Sequence, residues 1–314
     1  IARSLTGGLR AIPGFRMVDR QHVAEAVALS GTSPEAVARH VRADFVVVGS
    51  LQRSRTRIRL SGRLLDIAGG EALVEARVEG TPEDIFTLLD QMVAVFAHGL
   101  GLRLPDGAAV IGPRETRSLE AYRAAADGWR HLEARHIDAL QPAADAFRTA
   151  LGVDAGYALA QAGLAHARLA SFEASRADNE PDIQALGDAV DHAREATRLD
   201  DGLAEAHATL GVALAGRSDW RAAGDASRRA IALEPGNWRH HVRLGHVTWG
   251  AARIAAAEQA LALNPACWRA CFQQASVLVA RGETEHAAQG LEEGLARARR
   301  QAPGGTQTPG LEWL

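Results

Sequence analysis

The hydrophobic pattern of this chain changes period part-way along. Up to about residue 100, apolar residues alternate with polar ones or form short blocks, whereas beyond residue 117 they recur every three or four positions, as on helix faces. The clearest unit spans residues 203–236. With Ala204 as position 1, small or apolar residues fall where two antiparallel helices must touch: Leu210 and Gly211 at 7 and 8, Ala223 at 20 and Ala230 at 27. Arg217, Ser218 and Asp219 break the first helix, Trp220 opens the second, and Pro235 with Gly236 ends it. A short helix pair cannot bury its apolar face alone, so such units are expected to stack.

Similar units fill the chain from residue 117 to 300, about five helix pairs in an all-α solenoid. Pair one joins residues 119–133 to 139–151, with Ala143, Phe147 and Ala150 at positions 20, 24 and 27. Pair two begins at Tyr157 with Gly163 at position 8, and an extra stretch between Ser171 and Pro181 is expected to form a loop between its helices. Pair four fits into the 30 residues from Pro235 to Pro265, so its turn near Gly250 must be tight. Pair five runs from Trp268 to Ala298, and the Gly- and Pro-containing tail, 301–314, is expected to be flexible.

The first part, residues 1–102, reads as a small α/β (α+β) domain, joined to the repeats by a linker at 103–116. Ile1, Leu5 and Leu9 mark a helix face stopped by Pro13 and Gly14, residues 15–18 a short strand and residues 21–29 a helix. Ser33 and Pro34 open another helix. Residues 44–53 form a continuous apolar strand expected to be buried on both faces. A hairpin follows: a three-residue turn at Ala68, Gly69 and Gly70 sets Leu64 opposite Val74, Arg63 opposite Glu75 and Arg59 opposite Glu79. Thr81, Pro82, Glu83 and Asp84 then start a helix whose core face is Ile85, Leu88, Leu89, Met92 and Phe96.

Composition narrows the function. The chain has 314 residues, 47% of them hydrophobic, and a net charge of −3, which argues against a general nucleic-acid or anionic-membrane binder. The run Arg53, Arg55, Arg57, Arg59 has no interleaved aromatics and faces Glu75 and Glu79, so a solvated sheet face accounts for it. No apolar run reaches the ~20 residues of a membrane span. All 35 basic residues are arginine, which removes lysine-dependent phosphate loops and Schiff bases from this segment. His240, His241 and His246 point in different directions on a helix, and Cys267 and Cys271 lack further ligands at zinc spacing. Neither a metal nor a cofactor is expected, the thiols read as small packed groups in a reducing compartment, and no catalytic residue stands out.

The unit at 203–236 resembles the tetratricopeptide repeat (TPR), with Leu214 and Ser227 in place of the usual aromatics. That resemblance implies a groove lined by positions 2, 5, 9 and 12 of each first helix. Carried over, these give Tyr157, Glu205, Arg239, His246, Trp249, Arg269 and Phe272 among the groove residues, with Arg239 and Arg269 as candidates to clamp a carboxylate. Residues 43–92 (ADFVVVGSLQRSRTRIRLSGRLLDIAGGEALVEARVEGTPEDIFTLLDQM) look like the TolB-like or FlgO-type domain of bacterial nucleotide cyclases and winged-helix regulators that also carry these repeats. This resemblance implies that a first strand precedes Ile1. The expected role is therefore an interaction module for a protein or peptide ligand, or for a second copy in a homo-oligomer, or the regulatory region of a cyclase or DNA-binding regulator. A cytoplasmic location fits best, with a periplasmic one after an upstream membrane helix as the alternative.

Overall fold

The computed structural model describes residues 30–102, 116–134 and 136–301 continuously, with isolated positions before residue 30. The expected elements at residues 1–29 fall almost wholly outside the described residues, and the linker and tail beyond 301 lie outside them as well. The chain divides into two compact units, residues 1–117 and 118–314.

In the first unit, helix α1 (Pro34–Val41) begins as expected: Ser33 caps it by accepting the Ala36 N–H at 3.4 Å, and Pro34 takes the first turn. It packs on strand β1 (Phe45–Arg53), which among the described residues is an end member of an antiparallel sheet ordered β1, β2 (Ile58–Asp66), β3 (Ala72–Gly80). The hairpin pairs Leu64 with Val74, Arg63 with Glu75 and Arg59 with Glu79, as alternation requires. The route differs from a three-residue turn. Asp66 N–H bonds Glu71 O, closing a four-residue turn, and a bulge at Leu73 restores the register by one residue. Helix α2 (Ile85–Gly99) follows a short 3-10 turn, where the Asp84 carboxylate accepts both the Thr81 N–H (3.0 Å) and its hydroxyl (2.8 Å).

The expectation that β1 is buried on both faces is not met. Val46, Val47 and Val48 are partly covered while Phe45 and the second half are exposed, because α2 lays Leu88, Leu89, Met92, Val93 and Phe96 over β2 and β3 instead. Gly62 makes room for this, since a Cβ there would meet the Phe96 ring at 3.0 Å and the Met92 sulfur at 3.2 Å. A hydrophobic run fixes that a segment is a strand, not which of its faces the neighbouring helices cover.

The second unit stacks five helix pairs: α3 (Leu119–Glu133) with α4 (Leu140–Val153), α5 (Ala158–Ala177) with α6 (Ile183–Leu199), α7 (Ala204–Gly216) with α8 (Trp220–Leu233), α9 (Trp238–Val247) with α10 (Ala251–Leu263), and α11 (Trp268–Ala280) with α12 (Thr284–Gln301). Each first helix also touches the first helix of the neighbouring pair, giving a continuous layer. Buried alanines let the backbones approach. At Gly211 a Cβ would meet Ser227 Oγ at 2.6 Å and the Ala223 carbonyl at 3.0 Å, which is the close contact the repeat pattern requires. Ala223→Leu is accordingly expected to overpack this contact and lower stability by about 1 to 3 kcal/mol in chemical unfolding.

Four loops between pairs share one turn, and they set the register. The N–H groups of Tyr157, Leu203, Asn237 and Cys267 bond the carbonyls of Asp154, Asp200, Glu234 and Asn264 at 3.0 to 3.2 Å. Asp154, Asp200 and Asn264 also accept a backbone N–H two residues on. Ala165, not Gly163, therefore aligns with Gly211 and Gly245. Gly163 instead lies against the Phe147 ring of the preceding pair, where any side chain would collide.

The expected loop at 171–181 is a second correction. Helix α5 runs 20 residues, against 13 for α7, and only residues 178–182 connect it to α6. The insertion is helical because it has something to bury: Phe172 is buried near the C-terminal end of α7, where a Cβ on Gly216 would lie 3.4 Å from its ring. Ser175 closes the turn by accepting the Asp182 N–H at 2.8 Å. The tight turn near Gly250 is present: α9 has 10 residues, and Gly250, with φ 63°, starts α10.

Candidate functional site

Along the layer of first helices, exposure changes from pair to pair. In pair two the register positions hold Leu159, Ala162, His166 and Leu169, all buried. Tyr157 is buried too, at 2% exposure, because it occupies the loop position equivalent to Leu203 rather than the second position of the helix. It does not line a surface.

Glu205 begins the polar part of the layer. Its carboxylate lies 3.2 Å from His166 Nδ1 on α5 and accepts Arg243 Nη2 and Nη1 on α9 at 3.3 and 3.4 Å, so one residue links three successive pairs. Burial alone would raise its pKa, but the Arg243 charge, the His166 hydrogen bond and the nearby His166 and His240 charges hold it well below the usual carboxylate range. Glu205 is thus already partnered within the fold. His166 and Arg243 were missed from the sequence, since nothing local pairs residues 39 and 38 positions apart.

Pairs four and five are different. Trp249 is 58% exposed and Phe272 56%. Trp249 does not lie on a helix: α9 ends at Val247, and the indole sits in the turn before Gly250, over the Arg253 guanidinium at 4.3 Å. Arg253, also missed, explains how the helix can stop early. Its Nε donates to the carbonyls of Gly245 (2.8 Å) and Thr248 (2.9 Å), its Nη2 to His246 O and its Nη1 to Ser276 Oγ on α11. Burial lowers the pKa of Arg253 without removing its charge.

Arg239 and Arg269 occupy equivalent positions, each stacked on the preceding tryptophan, at 4.4 Å over Trp238 and 5.5 Å over Trp268. His246 is partly covered, and burial, with Arg253 and Arg176 acting in the same direction against Glu173, pushes its pKa down, so it is neutral at pH 7. His240 and His241 belong to the packing. His240 Nε2 lies 3.2 Å from Glu234, and His241 Nε2 bonds Pro235 O at 3.2 Å, as His207 Nε2 bonds Asp201 O. Both cysteines are free and buried, and burial pushes the Cys267 thiol up to about 11, an unreactive state. Among the described residues, no group of three or more His, Cys, Asp or Glu could hold a metal. No described helix is long and apolar enough to cross a membrane.

Known proteins resemble this chain as follows. A protein named "Putative adenylate cyclase 3" from Rhizobium meliloti (strain 1021) is 27% identical over 221 residues. The match covers 68% of this chain and 36% of that protein, so the chain spans little more than a third of its relative. Among solved structures, MamA is 23% identical with a TM-score of 0.43, over 52% of this chain and 91% of that one. Pseudomonas aeruginosa PilF is 22% identical with a TM-score of 0.46, over 60% of this chain and 78% of that one. YrrB, titled a TPR protein with an unusual peptide-binding site, is 17% identical with a TM-score of 0.37, over 54% of this chain and 80% of that one. No family model matches the sequence.

Proposed function

We propose that this chain is a protein-interaction module that binds a peptide or partner protein on the first-helix layer of its repeats and acts by binding rather than by catalysis. The observation that carries this reading is the exposure of Trp249 and Phe272 on a layer whose helices pack against one another through buried alanines. Large aromatics exposed among such neighbours are the usual material of interaction hot spots. Arg239 and Arg269, stacked in equivalent positions, complete the surface together with His246. Replacing both arginines with alanine is expected to weaken capture from an array of acidic peptides, with circular dichroism checking that the double variant stays folded. Undiminished capture by the double variant would move the site elsewhere on the chain.

The cyclase relative favours a second, compatible reading: the chain as the regulatory part of a longer bacterial signalling protein. Residues 1–102 would then be the TolB-like domain that residues 43–92 resemble in sequence. In that role the chain is cytoplasmic, binds no nucleic acid through this segment, and either takes a partner protein or pairs with a second copy. The purified chain is then expected to leave ATP and GTP unchanged. Turnover of either by residues 1–314 would overturn the binding-only role.

A further inference from the structure

The terminal pair of a repeat array needs a polar outer face, because the surface that would stack on a neighbour is otherwise left in water. Pair five does not have one. In pair four, Trp238, Val242 and Leu261 pack against a cluster that includes Cys267 and Ala270 of pair five, and so close the junction between the two. The same register positions in pair five hold Trp268, Phe272 and Leu295, with Val279 two turns beyond Phe272 on α11. Phe272, Val279 and Leu295 are 56, 54 and 47% exposed. Earlier in the array the counterparts of Phe272 are Ala162 and Ala208, and those of Val279 are Leu169 and Ala215, all buried. The exposed residues are therefore the stacking face of a pair that no further pair covers among the described residues.

We propose that a second copy of the chain docks here, end to end about a two-fold axis, with Phe272, Val279 and Leu295 of each copy covered by the other. The face continues the junctions inside the array, where a helix pair of the same kind is what covers it. A second copy presents the same uncovered face, so each satisfies the other. Charge points to the same partner. Along its sequence α12 turns from acidic to basic, with Glu285, Glu292 and Glu293 before Leu295 and Arg297, Arg299 and Arg300 after it. Glu293 and Arg297 already meet at 3.9 Å within the helix, but its two ends keep opposite signs, and antiparallel contact of two α12 helices sets each acidic end against a basic one. A two-fold contact closes on itself and yields a pair rather than a fibre. This inference rests on the interaction-module reading and assigns it one partner and one face. The face is small, so pairing belongs in the micromolar range or weaker, and the dilute chain is single. Phe272 belongs both to this face and to the first-helix layer, so a peptide held there competes with pairing.

Sedimentation velocity of the whole chain, from low to several hundred micromolar, tests this. The chain is expected to pass from single to paired over that range. Leu295→Asp and Val279→Asp, both at exposed positions, should each weaken pairing about tenfold or more, since every substitution enters a two-fold contact twice. Trp220→Asp, on α8, should leave pairing unchanged. Circular dichroism checks that each variant is folded. A charge swap tests the orientation: a chain with Glu285→Arg and Glu292→Arg, and another with Arg299→Glu and Arg300→Glu, should each pair poorly alone and pair well when mixed. Single chains at every concentration would overturn the inference, as would pairing that Leu295→Asp and Val279→Asp leave intact. Swapped chains that pair no better mixed than alone would overturn the antiparallel contact. A chain that stays single, with Leu295 resisting hydroxyl-radical oxidation until Leu311 and Trp313 are replaced by alanine, would give the face to residues 302–314 instead. The peptide array, run on the same chains, separates the two levels: a chain that stays single yet captures peptides loses this inference alone, and one that neither pairs nor captures loses the interaction module as well.

Discussion

Replacing Phe147 with alanine is expected to destabilise the repeat array by about 3 to 5 kcal/mol, the largest effect of any single change considered for this chain. Its side chain is fully buried, its ring sits edge-on to Trp129 at 5.3 Å, and it fills the space left by two glycines, Gly128 on α3 and Gly163 on α5. Glycines line two sides of the ring and offer no side chain to fill the cavity from those sides, which places the loss at the high end. Urea unfolding followed by helical circular dichroism measures it. A loss below about 1 kcal/mol would mean that pairs one and two do not meet through this ring.

The second large effect concerns Glu205. Removing its cation with Arg243→Ala leaves a mostly covered carboxylate with only His166 as a strong partner. The expected loss is about 2 to 4 kcal/mol, somewhat under that of a fully buried pair because the Glu205 side chain keeps 28% exposure. The pH dependence has a definite sign. The folded state lowers the Glu205 pKa, so its contribution is fully present above the unfolded value of about 4.3 and is lost as pH falls through the folded value. Melts from pH 7 to 3 should fall at the acid end for the wild type, with less acid dependence in Glu205→Gln. Identical acid profiles would show that the carboxylate is not held this way.

What the sequence made legible follows from which signals are local. The hairpin pairs were readable because alternation ties residue identity to face. A four-residue turn offset by a bulge at Leu73 is a detail that the same pairing hides. The helix pairs were readable from Gly211, Ala223 and Ala230, but matching Gly163 to Gly211 on residue type alone shifted pair two by two positions and put Tyr157 on the surface. The better signal was present in the sequence: Asp154-Ala155-Gly156, Asp200-Asp201-Gly202, Glu234-Pro235-Gly236 and Asn264-Pro265-Ala266 are the same turn and align every pair. Polar stretches mislead in the opposite direction, since the Ser- and Glu-bearing segment from Ser171 reads as loop until Phe172 is given a surface to bury against. The contacts Glu205 makes with His166 and Arg243, and Arg253 with α9 and α11, join residues distant in sequence, and only the stacking of pairs reveals them.

The central claim is that the exposed aromatics of pairs four and five are a binding surface. Hydroxyl-radical footprinting of the whole chain, with and without a peptide captured from the acidic-peptide array, tests it most directly, because Trp220 on α8 is exposed to nearly the same degree as Trp249 and serves as an internal control. The account predicts that oxidation of Trp249 and Phe272 falls several-fold at saturating peptide while Trp220 is unchanged. Protection of Trp220 with Trp249 and Phe272 still fully reactive would contradict it.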